Sequence, residues 1–305
     1  MIGAIVSEDE PQIDAALVKQ LLAAQCPHWS HLPITPVSPG GWCNRAFHLG
    51  DEMIVRLPRH HAYAAQIEKE FRWLPQLAQH LPLPIPEPMA LGLPGNGYPW
   101  HWSVYRWLPG QTAQPENIAE LTTFATELGR FLAALHVPVP PNGPPPGAHN
   151  FYRGGGLAVY DQEFRHAMAL LGGRIDTAAC MAVWESALAN AFTGTPVWIH
   201  GDISAGNLLV CNGRLCAVID FGNLCVGDPA CDLAMAWTMF AGESRAAFRV
   251  ALPVDAGTWA RGRAWVLWKA MIIASGLSAS NALEAAQPWR IIAEVLADHR
   301  HAQAR

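Results

Sequence analysis

The chain of 305 residues exceeds one average domain, which predicts a two-lobed or two-domain enzyme. Its formal net charge of −5 excludes the strongly basic face on which nucleic-acid binding depends, and no nucleic-acid partner is expected. With 51% hydrophobic and only 15% charged residues it can bury a large core, yet no apolar run reaches the roughly 18 residues of a membrane helix, so no membrane partner is expected.

The N-terminal stretch MIGAIVSEDEPQID carries acids where a signal peptide carries bases, which predicts a cytoplasmic location. Residues 12–25 read as a helix. Strand-like segments follow at 34–38, 46–50 and 53–57, with Gly40-Gly41 and Gly50-Asp51 between them where turns belong, and predict an antiparallel meander. YAAQIEKEFRWLPQLAQH, from Tyr63 to His80, suits a helix that Pro75 either kinks or divides. The connector LPLPIPEP leads to strands in PMALG and WSVYRWL, which completes an N-terminal half of five strands and one main helix.

At 116–136 the residues Ile118, Leu121, Phe124, Leu128, Phe131, Leu132 and Leu135 recur every three or four positions, the pattern of an amphipathic helix. VPVPPNGPPPG, 137–147, predicts a stiff extended loop. Beyond it helices are predicted over 159–171, 176–191, 228–240, 255–275 and 281–299, with short strands at 197–199, 207–210 and 215–219. The seven cysteines (Cys26, Cys43, Cys180, Cys211, Cys216, Cys225 and Cys231) lack the paired spacings of zinc sites, and no HExxH is present, so reduced thiols and no structural metal are expected. His60-His61 reads as a solvated strand end, and Trp237, Trp265 and Trp268 read as core.

One interval concentrates the chemistry. HGDISAGN lies between the strands VWI and LLV, and the strand CAVID ends on Asp220 before FGN. Asp202, Asn207 and Asp220 thereby come to the ends of neighbouring strands, facing one cleft. Phosphoryl transfer from a nucleotide uses such a set: a carboxylate to orient the attacking hydroxyl, and an amide oxygen with a second carboxylate to hold Mg²⁺ on the phosphates. Ser204 has no GxSxG elbow around it and belongs to the loop backbone.

HGDISAGNLLV with VIDFGN and GDPACDLA resembles the aminoglycoside phosphotransferase family, whose fold is similar to that of protein kinases, HGD standing where those have HRD. The resemblance implies an α+β, two-lobed kinase-like fold, with a β-rich nucleotide-binding lobe over 1–108 and a mostly helical lobe over 109–305 that carries the catalytic loop and substrate site. It implies Asp202 as catalytic base, Asn207 and Asp220 as magnesium ligands, His200 as a support for the loop, and Asp228 and Asp232 as structural acids around the following helix. ATP or GTP would be the co-substrate with Mg²⁺. The acceptor would be a hydroxyl of a small molecule, an aminoglycoside or related amino-sugar, with a macrolide, a sugar or a choline-like alcohol as the alternative within the fold.

The similarity extends through PGGWCNRAFHLGDEMIVRLP, which resembles the nucleotide loop with Gly40 and Gly41, and through EFRWLPQLAQHLPLPIPEP, which resembles the helix bearing the glutamate of a lysine–glutamate pair. SVYRWLPG resembles the hinge, where the backbone of Arg106, Trp107 and Leu108 meets the purine and Tyr105 takes the gate position. Two departures stand out. Arg56 occupies the place of the phosphate-binding lysine, with Glu70, or else Glu68, as its partner, and the loop SPGGWCN has fewer glycines than GxGxxG. Arg56 also prompts a second class of reading, a nucleotide-binding regulator without transfer activity. Asp161, Glu163, Glu243, Asp255 and Glu284 are the acids that could line a site for a cationic acceptor, although each also reads as an ordinary surface charge.

Overall fold

The computed structural model describes residues 11–303 apart from 39, 42, 138–141 and 279–286. Asp14 starts helix α1 (Ala15–Gln25) by accepting a hydrogen bond from Leu17 N at 2.9 Å, and the helix buries Val18, Leu21 and Leu22. That apolar stripe packs on a five-stranded antiparallel sheet of β1 (Ile34–Pro36), β2 (Asn44–Leu49), β3 (Met53–Pro58), β4 (Pro88–Gly92) and β5 (Trp102–Arg106), in the order β1-β2-β3-β5-β4. The two-residue period of β3 decides what reaches the cleft. Met53, Val55 and Leu57 enter the core under α1, so Ile54 and Arg56 face the other way.

Helix α2 (His61–Leu77) covers that second face. Pro75 neither divides it nor opens a new piece; it sits in the last turn, where its missing N–H costs one bond before the helix stops. The expectation of a solvated His60 is corrected: its Nδ1 caps α2 by accepting from Ala62 N at 3.2 Å, and the residue is 9% exposed.

The second lobe is mainly helical, as expected. Helix α3 (Leu121–Leu135) begins later than the pattern suggested, because Pro115–Asn117 closes a separate 3₁₀ turn and Glu120 accepts from Thr122 N at 2.8 Å to cap the helix. Helices α4 (Asp161–Leu171) and α5 (Thr177–Ala189) precede the catalytic interval. The helix expected over 228–240 is broken into a 3₁₀ segment, Pro229–Leu233, and a single turn, α6 (Met235–Thr238). Helix α7 (Gly242–Ala251) was not expected from the sequence, and packs against α3 so closely that a Cβ on Gly129 would lie 2.7 Å from Ala251 Cβ. Helix α8 (Ala256–Ala274) is the buried spine of the lobe, and α9 (Pro288–Gln303) lies across it. The first part of the helix expected over 281–299, and residues 138–141 of the proline-rich loop, lie outside the described residues.

The strands of this lobe do not form one sheet. A three-stranded sheet orders β6 (Gln111–Thr112), β8 (Leu208–Cys211) and β9 (Arg214–Val218), whereas β7 (Val197–Ile199) pairs with β10 (Cys225–Gly227) in a separate two-stranded sheet. Asp202 and Asn207 therefore arrive from two different sheets, a correction to the expectation of neighbouring strands. No helix among the described residues is long and apolar enough to cross a membrane.

Candidate active site

The interval after β7 is held from beneath. Asp232, fully buried, accepts from His200 N and Gly201 N, both at 2.8 Å, and from His136 Nε2 at 3.0 Å. His200 is also fully buried: its Nε2 donates to Ile219 O at 3.0 Å and its Nδ1 accepts from Asp202 N at 3.1 Å. The imidazole thus fastens the loop before Asp202 to the residue before Asp220. Gly201 turns the chain at φ +80, where a Cβ would come 2.7 Å from Asn223 O. Asp228 caps its segment at Ala230 N and forms a buried ion pair with Arg261, with Nε–Oδ2 at 2.6 Å. Both acids are structural, but the sequence resemblance assigns both to the helix that follows, and only Asp228 serves it, at the start of its own segment, whereas Asp232 braces the loop before Asp202.

Asp202, Asn207 and Asp220 do converge. Asn207 Nδ2 donates to Asp202 O at 2.9 Å and to Asp202 Oδ2 at 3.3 Å, and its carbonyl accepts from Ile219 N at 2.9 Å. With the amide nitrogen committed to Asp202, the side-chain oxygen of Asn207 is the atom left to meet a cation. Asp220 adopts a left-handed backbone, φ +65, and its side chain is 42% exposed. Ser204 contributes a backbone carbonyl to Asn207 N at 2.9 Å and makes no capping bond with its hydroxyl, which agrees with a loop role.

Across the cleft, Arg56 reaches both lobes. Its Nη1 donates to Glu70 Oε2 at 3.0 Å and its Nη2 to Asp220 Oδ1 at 3.4 Å. Burial works against the guanidinium charge, and Glu70 and Asp220 more than restore it, so it stays cationic. Glu70 is fully buried on α2 and also accepts from Tyr105 OH at 2.5 Å. Glu68 is on the exposed side, bonded to His101 Nδ1 at 2.5 Å, and is not the partner. Tyr105 is buried and serves this pair with its hydroxyl. The backbone N–H groups of Arg106 and Trp107 are already engaged, by Glu87 O at 3.0 Å and Glu52 O at 2.7 Å, which leaves Leu108 N–H as the hinge donor without a backbone partner among the described residues. The Arg106 side chain points outward to Glu87 and Trp107 packs on His48.

Gly40 and Gly41 lie in the β1–β2 loop, and neither has a positive φ nor a backbone that a Cβ would crowd. The thiol of Cys43, at the end of that loop, is pushed up to about 12 by burial and by the charges of Asp220 and Asp202. A magnesium ion would suit the donors present: Asn207 and Asp220 offer hard oxygen atoms from one amide and one carboxylate, the rest of the shell being phosphate and water. No cluster of three or more His, Cys, Asp or Glu suited to a metal occurs among the described residues.

One site residue escaped the sequence. Arg153 Nη1 donates to both Asp202 Oδ1 and Gly201 O. Burial raises the Asp202 carboxyl, but Arg153, with help from His200 and Lys269, outweighs it and holds the group below the ordinary carboxylate range. The only signal in the sequence was an arginine before three glycines in FYRGGG.

Known proteins share this fold. The structure is similar to the GDP and kanamycin complex of APH(2")-IIia, with a TM-score of 0.67 and 18% identity over 92% of this chain and 98% of that one. It is similar to the streptomycin-ATP-APH(2")-IIa ternary complex (TM-score 0.57, 17% identity, 94% and 99% covered). It also resembles the macrolide 2'-phosphotransferase MphH from Brachybacterium faecium (TM-score 0.57, 23% identity, 93% and 98% covered). At such identities these likenesses establish the kinase-like fold. No curated protein matches the chain. A family model, described as phosphotransferase enzyme family, matches residues 34–265, more than half of the sequence, and the chain belongs to that family.

Proposed function

We propose that the protein transfers the γ-phosphoryl group of ATP or GTP, with Mg²⁺, to a hydroxyl of a small molecule. The observation that carries this reading is the bridge from Glu70 through Arg56 to Asp220, with Asp202 and Asn207 beside it. That arrangement supports the reading because the transfer needs a fixed cation, a carboxylate to orient the hydroxyl and two oxygen donors for the metal, and Arg56, Asp202, Asn207 and Asp220 are of those kinds. Residues 1–108 form the nucleotide lobe in this reading, and 109–305 the lobe that holds the acceptor.

Arg56 would donate to phosphate oxygens through the guanidinium N–H groups that its two carboxylate contacts leave open, and Gly40 and Gly41 would let the loop backbone approach them. The purine would meet Leu108 N–H and the carbonyls of the 106–108 backbone. Mg²⁺, held by Asn207 and Asp220, would neutralise charge on the phosphates when bound. Asp202, kept ionised by Arg153 and oriented by Asn207, would accept a hydrogen bond from the acceptor hydroxyl and take its proton as the bond to phosphorus forms. Catalysis is then mainly positioning and charge neutralisation.

A regulator without transfer activity has less support: the arginine that prompted it makes the glutamate contact expected of a lysine and adds one to Asp220. Thermal-shift titration with ATP and GTP in the presence of Mg²⁺ tests the nucleotide half of the proposal. Saturating nucleotide should stabilise the protein by about 2.7 kcal/mol at a hundredfold excess over Kd, and no shift with either nucleotide would exclude it.

A further inference from the structure

The hairpin beneath the hinge carries two thiols that the phosphotransfer reading does not use. Asn212 and Gly213, φ +51 and +78, close the tight turn between β8 and β9, with Cys211 paired to Arg214 at its base. Leu209 opposes Ala217, so a regular ladder would set Cys216 opposite Val210 and aim it away from Cys211, on the other face. Instead Val210 opposes Leu215, and Cys216 is the extra residue of a β-bulge, a device that re-aims a side chain. Both sulfurs consequently reach one oxygen: Cys211 Sγ lies 3.4 Å and Cys216 Sγ 3.7 Å from Pro109 O. They also hydrogen-bond to each other.

That oxygen belongs to the hinge. Pro109 and Gly110 follow directly on Leu108, whose N–H is the hinge donor, and lead into β6, which pairs with β8. Gly110, φ +140, is fitted against the sulfurs: a Cβ there would lie 3.2 Å from Cys216 Sγ, 3.3 Å from Cys211 Sγ and 2.9 Å from Leu209 Cβ. Cys26, Cys180, Cys225 and Cys231 are buried, whereas Cys211 and Cys216 are partly exposed. Cys211 lines a surface groove with Gly110, Gln111, Asn117, Asn212 and Gly213, open to a small molecule.

We infer that Cys211 and Cys216 are a redox-sensitive pair: exchange with a low-molecular-weight disulfide closes a disulfide between them, and the closed form weakens nucleotide binding by releasing the hinge. The effect on nucleotide rests on the phosphotransfer reading above; the disulfide does not. Burial and the neighbouring Cys211 push the Cys216 thiol up, so Cys211, in the groove, reacts first. Its sulfur, as thiolate, attacks one sulfur of the reagent to give a mixed disulfide, and the first reagent thiol leaves with the proton that Cys211 gave up. Cys216 then attacks the Cys211 sulfur and expels the second reagent thiol in the same way. Two protein thiols lose two electrons in all, and one reagent disulfide is reduced to two thiols. Neither bonded sulfur keeps a proton, so Pro109 O loses both donors.

The test exposes the reduced full chain to oxidised glutathione and maps its thiols by mass spectrometry after trypsin, which cuts between the two cysteines at Arg214. Peptides joined through Cys211 and Cys216, without retained glutathione and separable by dithiothreitol, are expected. Loss of a hinge hydrogen bond should raise the Kd of ATP or GTP with Mg²⁺ about three- to tenfold in the oxidised protein. It should also speed hydrogen exchange over residues 106–112 in the absence of nucleotide. Cys211→Ser should form no such link and keep its nucleotide affinity under the oxidant; Cys216→Ser replaces it if that variant fails to fold. Both residues remaining thiols, a stable glutathione adduct on wild-type Cys211, or a closed disulfide that leaves hinge exchange or Kd unchanged overturns the inference. Failure of the phosphotransfer reading looks different: the reduced protein shows no nucleotide-induced shift, while the disulfide and the hinge exchange are still scored.

Discussion

Replacing Asp232 with Asn changes one atom of a fully buried side chain, and the consequences should reach both stability and catalysis. The carboxylate accepts two backbone N–H groups, from His200 and Gly201, on separate oxygens, plus His136 Nε2. Asn keeps one acceptor and turns its NH₂ toward a donor, so one buried donor loses its partner. Leaving such a group unsatisfied costs about 1–3 kcal/mol, and bonds to a charged acceptor are worth about 1.5–3 kcal/mol each. A loss of about 2–4 kcal/mol follows, a large share of the 5–15 kcal/mol typical of a domain. Ala, which removes both acceptors, should cost more. Urea unfolding followed by circular dichroism reads the change, with the slope unaltered. Since Gly201 directly precedes Asp202, turnover should also fall by about a hundredfold for a displacement of about 1 Å. An Asn variant within about 0.5 kcal/mol of wild type, the level of an ordinary surface substitution, would refute the bracing role.

Three further expectations follow from the same geometry. Arg153→Met should move the acid limb of kcat/KM to higher pH, since burial then acts on Asp202 with its largest opponent removed and protonates it sooner as pH falls; an unmoved limb in a pH-rate profile would detach Arg153 from the base. Burial lowers Lys69 to about 8 from its ordinary 10.5, so the unfolded chain binds the extra proton between those values and stability contributed by this group rises with pH across that window. The stability difference between wild type and Lys69→Met, measured by urea unfolding from pH 7 to 10, should therefore shift in favour of wild type as pH rises, and a flat difference would contradict it. Arg56→Ala should raise the KM for nucleotide about tenfold or more, as expected for loss of a charged phosphate contact; an unchanged KM and kcat would show that another group holds the phosphates.

Local rules carried much of this structure. The two-residue period of MIVRLP is enough to send Arg56 to the cleft face, and the hairpin of β8 and β9 sets Asn207 beside Asp220. The sequence favours Glu70 and leaves Glu68 as the alternative, and only the structure separates them: Glu70 holds Arg56 while Glu68 turns outward to His101. What stayed hidden was long-range. Arg153 reaches Asp202 across 49 positions through a loop whose left-handed residues leave no composition signal. The pairing of β7 with β10 depends on the turn after Asp220, and α7 buries too narrow a face to announce itself: of its ten residues only Ser244 and Phe248 are buried.

The central claim is that Asp202 serves as the base of a nucleotide-dependent phosphoryl transfer, and one pair of measurements addresses it directly. Wild type and Asp202→Ala are compared for phosphoryl transfer to the best acceptor and for stabilisation by nucleotide with Mg²⁺. Turnover should fall by roughly 10²–10⁴-fold in the variant while the nucleotide-induced shift persists. Near-normal turnover in Asp202→Ala would contradict the assignment.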